Sequence, residues 1–306
     1  MTHYTESNAW LTPPVRKFIA QSRATHAVDP FAGTGNLLQH IKPLGLATAG
    51  FEIDPALCDA YGWTRNDSIA SIPDHPDHVI CITNPPFVHR THAPRRGIFI
   101  SFGTAPDYYI LALRRCLTAF RYVVAIIPER FLTIDFSQSV GHRLRLIDVI
   151  ETDDLFTDTQ FPVCVACWGP GHPREIAVYK NGIYIKTRHD IMAAIPTEIV
   201  DGIKVKAWDG QLGLVSYDSG MIYDPMRFCS PGRVMNSTYR PRVRVSTKID
   251  PTLLIRECNA VLRQLRFDTA DLALHPFQKT HAGVRRRRLL TQMTRRIVSR
   301  AILSLS

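Results

Sequence analysis

Asn84-Pro85-Pro86-Phe87 follows the apolar run at residues 78–83 and holds the residue types needed to present an exocyclic amine for alkylation. Such an amine is a poor nucleophile because its lone pair is delocalised into the ring. Two acceptors that take its two N–H bonds favour a pyramidal nitrogen and aim the lone pair. Asn84 offers a side-chain oxygen, and Pro85 a backbone carbonyl in a stiff, extended segment. Phe87 adds a flat face on which an unstacked base can lie. By itself the tetrapeptide is also compatible with a plain Asn-Pro turn leaving a strand.

A second group lies upstream. Asp29-Pro30-Phe31-Ala32-Gly33-Thr34-Gly35 closes a short apolar run at 25–29, and a strand running into Gly-x-Gly lets backbone approach a ligand closely. Glu52 ends the next apolar run, 19 residues after Gly33. A carboxylate there can accept hydrogen bonds from both hydroxyls of a ribose. Leu38 stands where a dinucleotide fingerprint has its third glycine, so the loop fits a nucleoside cofactor better than a dinucleotide.

The elements that must position these residues alternate through the first 180 positions. Strands are expected at 25–29, 46–53, 78–83, 122–127 and 163–168, with helices at 36–42 and 107–120 and a short helix after Asp54. The alternation predicts an α/β fold: a Rossmann-like, mostly parallel, doubly wound sheet covered on both faces. Both chemical groups then sit at carboxyl ends of strands. Near residue 180 the texture changes. Asn181-Gly182 marks a tight hairpin, 200–250 has short β-like pieces, and 251–267 and 284–305 read as helices. In the last of these Leu289, Met293, Ile297 and Ala301 recur every four residues as one apolar face.

Charge follows the same division. Of the net +10, residues 1–180 hold 16 Lys and Arg against 17 Asp and Glu, whereas 181–306 hold 21 against 10. We therefore expect a catalytic domain over 1–180 and a smaller basic α+β region over 181–306 that binds a polyanion. Arg240, Arg242 and Arg244 alternate along one expected strand of that region, and Arg90, Arg95 and Arg96 follow the Asn84 motif, so both sets are candidate phosphate or base contacts. No apolar run is long enough to span a bilayer. The polar N-terminal stretch and seven scattered cysteines predict a cytoplasmic protein with reduced thiols. Cys164 and Cys167 have zinc-like spacing but lie on one expected buried strand, and no metal is predicted.

Read together and in order, DPFAGTG (29–35), FEID (51–54), RND (65–67) and NPPF (84–87) resemble the S-adenosylmethionine-dependent amino-methyltransferases of nucleic acid. They are most similar to the adenine-N6 DNA methyltransferases of restriction–modification systems, in the arrangement with target recognition last. TPPVRKF (12–18), VVAIIPERFL (123–132) and Leu155-Phe156 resemble flanking motifs of that family, and the resemblance covers about residues 10–180. It implies that Phe31, Gly33 and Gly35 line the methionine end of S-adenosylmethionine, with Thr12 and Asp29 near its carboxylate and amino groups. It implies that Glu52 holds the ribose, Ile53 lies beside the adenine, and Asp67 accepts from the adenine amino group. Asn84, Pro85 and Phe87 would hold the target base, with Phe156 as the second stacking ring and Phe161 as the alternative. The implied partners are double-stranded DNA and a cognate restriction endonuclease. Methyl transfer is then a direct in-line displacement governed by positioning. The chain lacks the Pro-Cys dipeptide that a cytosine-C5 enzyme would use. Three other readings stay open: an amino-methyltransferase of structured RNA, a protein-glutamine methyltransferase, and a nucleic-acid binder on a catalytically degenerate fold.

Overall fold

The computed structural model describes residues 5–88, 105, 107–134, 140–152, 154–156, 160–206, 242–245, 249–281 and 284–306. The chain divides into two compact units, Met1–Arg188 and His189–Ser306. The first is built on nine strands: β1 (His26–Asp29), β2 (Ala47–Glu52), β3 (Thr64–Arg65), β4 (Val79–Thr83), β5 (Tyr122–Pro128), β6 (Leu144–Ile150), β7 (Val163–Trp168), β8 (Ala177–Lys180) and β9 (Ile183–Thr187). Their order in the sheet is β3-β2-β1-β4-β5-β7-β6-β8-β9. The first five are parallel. β7 runs antiparallel between β5 and β6, β8 is parallel to β6, and β9 returns antiparallel. The expected mostly parallel, doubly wound sheet is thus present. Chain order reverses between β1 and β4, so the carboxyl ends of those two strands border the crevice where such sheets bind ligands.

Strand composition explains the burial. β4 (VICIT) and β7 (VCVACW) are buried at every position, as strands covered on both faces must be. On one face Ile80, Ile82, Val124 and Ile126 pack with Trp10 and with two helices, α1 (Pro13–Ser22) and α2 (Asn36–Ile41). The alternate residue Cys81 points the other way, where its thiol meets Cys116 of α4 (Tyr108–Ala119). α1 begins with Pro13 and Pro14, which fit a first turn that has no N–H partner to lose. Asp54 caps α3 (Pro55–Tyr61), its carboxylate accepting from Ala56 N at 2.9 Å. β8 and β9 are joined by Asn181 (φ 48°) and Gly182 (φ 80°), the two positive dihedrals that a type I′ hairpin demands. β6, whose run LRLIDVI is almost wholly buried, was not among the expected strands.

The second unit holds α5 (Arg188–Ala193, which begins on the boundary), the antiparallel pair β10 (Ile203–Lys206) and β11 (Arg242–Val245), α6 (Pro251–Thr269), the pair β12 (His275–His281) and β13 (Val284–Arg288), and α7 (Thr291–Leu305). Leu254, Cys258, Leu262 and Leu265 recur along α6 and pack with Ile297, Val298, Ala301 and Ile302 of α7. The apolar face expected from Leu289, Met293, Ile297 and Ala301 is therefore in this core. The helix expected over 284–305 begins only at Thr291. Val284–Arg288 instead pairs with β12, and four consecutive arginines supply no apolar helix stripe.

Candidate active site

The carboxyl edge of β1, β2 and β4 gathers most of the residues singled out in the sequence. Asp29 ends β1 and is 2 % exposed. Its Oδ1 accepts from Phe31 N at 2.9 Å and from Thr83 Oγ1 at 2.6 Å. Thr83 ends β4 and immediately precedes Asn84, so one carboxylate ties the glycine loop to the NPPF segment. Burial pushes the Asp29 carboxyl up to about 7; the Thr83 and Phe31 hydrogen bonds oppose the rise and the nearby Glu52 charge adds to it.

Glu52 acts on the glycine loop before any ligand does. Oε2 accepts from Gly33 N at 2.9 Å, and Oε1 accepts from Ile53 N at 2.8 Å and Asp54 N at 3.0 Å. A carboxylate has about four acceptor positions, so a ligand hydroxyl shares Glu52 with backbone. Trp63 closes the loop from the other side, its indole N–H donating to Gly33 O at 2.9 Å. Two glycines make room for that ring. A Cβ at Gly35, whose φ is +81°, would lie 2.5 Å from Trp63 Cζ2, and one at Gly50 would lie 2.7 Å from Trp63 Cε3. Within the loop, Thr34 Oγ1 is buried with no hydrogen-bond partner. Ile53 is 60 % exposed beside Glu52. Asp67 follows β3 and accepts from Ile69 N and Ala70 N through Oδ1. The Tyr108 phenol is held up by burial and then by the Asp67 charge, which puts α4 next to this loop.

Beyond Thr83, Asn84 Nδ2 donates to Thr5 Oγ1 at 3.2 Å, and Pro85 is buried. The Phe87 ring meets Tyr109 edge-on at 6.4 Å and Phe161 at 5.7 Å with 32° between planes. Phe156 is 4 % exposed and forms a backbone bridge with Thr5. Phe161 is therefore in ring contact with Phe87. Arg130 pairs with Asp107 and lies 5.9 Å over the Tyr109 ring, bracing the wall behind Phe87.

No protein-family model and no curated protein sequence matches the chain. Solved structures resemble it weakly, at low identity. A protein of Listeria monocytogenes, provisionally described as a class I S-adenosylmethionine-dependent methyltransferase, is 14% identical over 57% of this chain and 67% of its own, with a TM-score of 0.40. The methyltransferase subunit of a type I restriction–modification system from Streptococcus thermophilus is 14% identical over 64% of this chain and 49% of its own, with a TM-score of 0.41. A protein of Pyrococcus horikoshii, provisionally described as an RNA methyltransferase, is 19% identical over 56% of this chain and 93% of its own, with a TM-score of 0.34. The chain spans about half the length of the type I subunit. These likenesses are slight, and the chemistry rests on the residues of the site itself.

The other singled-out residues lie as follows. Thr12 Oγ1 donates to Asp148 Oδ2 in β6 at 2.6 Å, and both oxygens of Asp148 also accept from Gly182 N at 3.1 Å. Burial raises the Asp148 carboxyl, and the Thr12 and Gly182 bonds oppose it. Cys164 and Cys167 are buried in β7 with thiols pushed well up by burial. Among the described residues no group of His, Cys, Asp and Glu could hold a metal ion. No described helix is long and apolar enough to cross a membrane. Arg90, Arg95, Arg96 and Arg240 lie outside the described residues. Arg242 and Arg244 are in β11, in register with Lys206 and Lys204 of β10. Sequence reasoning missed Trp63, Thr83 and Thr5. Thr83 had a signal, since it abuts the Asn84 motif at a strand end. Trp63 and Thr5 are joined to the site only by the folded chain.

Proposed function

We propose that the chain methylates the N6 amine of adenine in duplex DNA, with S-adenosylmethionine as donor. The observation that carries this reading is the Thr83–Asp29 hydrogen bond at 2.6 Å, which sets an Asn-Pro-Pro-Phe acceptor segment directly beside a glycine loop flanked by two carboxylates. The loop residues fit such a donor. Asp29 would face its ammonium, Thr34 Oγ1 a polar atom of its methionine end, Glu52 the ribose hydroxyls and exposed Ile53 the adenine ring. When bound, the donor supplies an activated methyl on a sulfonium. The protein's own residues then do the positioning: Asn84 Oδ1 and the Pro85 carbonyl take the target N–H bonds, and Phe87 with Phe161 grips the extruded base. The amine's lone pair would form the new N–C bond as the S–C bond breaks to leave a neutral thioether, and the cationic amine would then lose its proton to solvent. Basic residues of 181–306 would hold the phosphates, and a cognate restriction endonuclease would be the partner in a restriction–modification setting.

The test is transfer of labelled methyl from the donor to separate DNA, RNA and protein pools, followed by nucleoside analysis. N6-methyladenine in DNA, lost in Asn84→Ala with donor binding kept, supports the reading. Label in RNA alone or in protein glutamine refutes the substrate, and N4-methylcytosine alone refutes the base.

A further inference from the structure

Thr5 stands 79 residues from Asn84 in sequence, yet its hydroxyl accepts from the Asn84 amide at 3.2 Å. It is 3 % exposed, and threonine is a residue type found mostly at the surface. The segment that carries it is tied at both ends. Thr5 bridges Phe156 in antiparallel fashion, and Glu6 N donates to Leu155 O at 2.9 Å. Ser7 caps the following turn through Ala9 N, and fully buried Trp10 donates its indole N–H to His40 Nδ1 at 3.1 Å. Residues 5–10 are thus a strap from the 155–156 segment to α2, and Thr5 is its end at the acceptor segment.

The chemistry asks for such a group. The terminal torsion of asparagine is broad and two-fold, whereas an amide that aims a lone pair must keep its plane within roughly 10–20°. A hydroxyl fixed by a backbone bridge supplies that constraint. We propose that Thr5 is a positioning residue: its hydroxyl holds the Asn84 amide in the plane from which Oδ1 accepts from the target amine. This rests on the methyltransferase reading of the same site.

The experiment uses the full chain and compares Thr5→Val, Thr5→Ala and Thr5→Ser with Asn84→Ala, measuring kcat, KM for DNA, donor affinity and Tm. Valine keeps the shape and strand preference and removes the hydroxyl; alanine removes it with less bulk should valine disturb folding. The expected result is a fall in kcat of about ten-fold in Val and Ala, with KM and donor affinity within two-fold of wild type. Serine should restore kcat to within about three-fold. A purely structural role would instead lower Tm and donor affinity together and leave serine no better than alanine; that result overturns the proposal. So does wild-type kcat in both Val and Ala while Asn84→Ala is inactive. Should Asn84→Ala itself turn over normally, the methyltransferase reading fails, whatever Thr5 does.

Discussion

The protonation of Asp29 should govern donor binding. With the carboxyl at about 7 in the folded protein, it is half protonated at neutral pH. An ammonium placed beside it favours the ionised form, so binding near pH 6 should expel the proton. If only the ionised form binds, about 0.9 proton leaves per donor at pH 6, and affinity is about five-fold weaker at pH 6 than at pH 7. Above pH 8 the donor's own amino group, with an ordinary value of about 8, loses its charge and affinity falls again. The profile is then a bell peaking between about 7 and 8. Titration calorimetry with S-adenosylmethionine, in buffers of different ionisation enthalpy, counts the protons directly. Asp29→Asn should bind more weakly than wild type at pH 7.5 and lose the acid limb while keeping the alkaline one. The sign for stability is separate. Because the folded carboxyl lies above its unfolded value of 3.8, its contribution is fully present below that value and is lost as pH rises towards 7. The donor-free protein should therefore become less stable across that window, and Asp29→Asn should flatten the loss. Donor affinity independent of pH from 5.5 to 7, with no proton released, would refute the account of this site.

Three further outcomes are expected. Gly35→Ala forces a left-handed backbone on alanine and drives its Cβ into Trp63, so stability should fall by about 2 kcal/mol and donor affinity by at least about ten-fold; equilibrium denaturation and donor titration measure both. Trp63→Phe keeps an aromatic ring but drops the hydrogen bond to Gly33 O, so it should cost about 1 kcal/mol and weaken donor binding with little change in kcat at saturating donor. The β10–β11 register sets Lys204 opposite Arg244 and Lys206 opposite Arg242. Replacing all four by alanine should weaken binding to every DNA sequence and reduce the salt slope by about 0.9 for each phosphate no longer neutralised; an unchanged slope excludes this ribbon from the phosphate backbone.

The amino-acid sequence by itself determined the sheet's central strands and the placing of the Asn84 motif at the end of one of them. β4, β5 and β7 are apolar at nearly every position, and such runs bounded by turn residues have few alternatives to a strand buried on both faces. The placement of Asn84, Glu52, Gly33 and Gly35 was legible for a related reason: each stands at or just beyond the end of an apolar run. Asn181-Gly182 was legible because its dihedrals are intrinsic. β6 went unread because LRLIDVI places charged and apolar residues in an order that fits neither period cleanly, and only its pairing with β7 and β8 decides it. The strand at Val284–Arg288 was misread as helix because a run of arginines states no periodicity, leaving the partner strand to choose. Tertiary structure alone decided what holds the site in place. Trp63 reaches Gly33 across 30 residues, Thr83 reaches Asp29 across 54 and Thr5 reaches Asn84 across 79. Whether Phe156 or Phe161 faces Phe87 likewise turned on chain geometry between two strands rather than on residue type. The raised carboxyl of Asp29 belongs to the same class, since desolvation is a property of everything packed around a group and not of the group's neighbours in sequence.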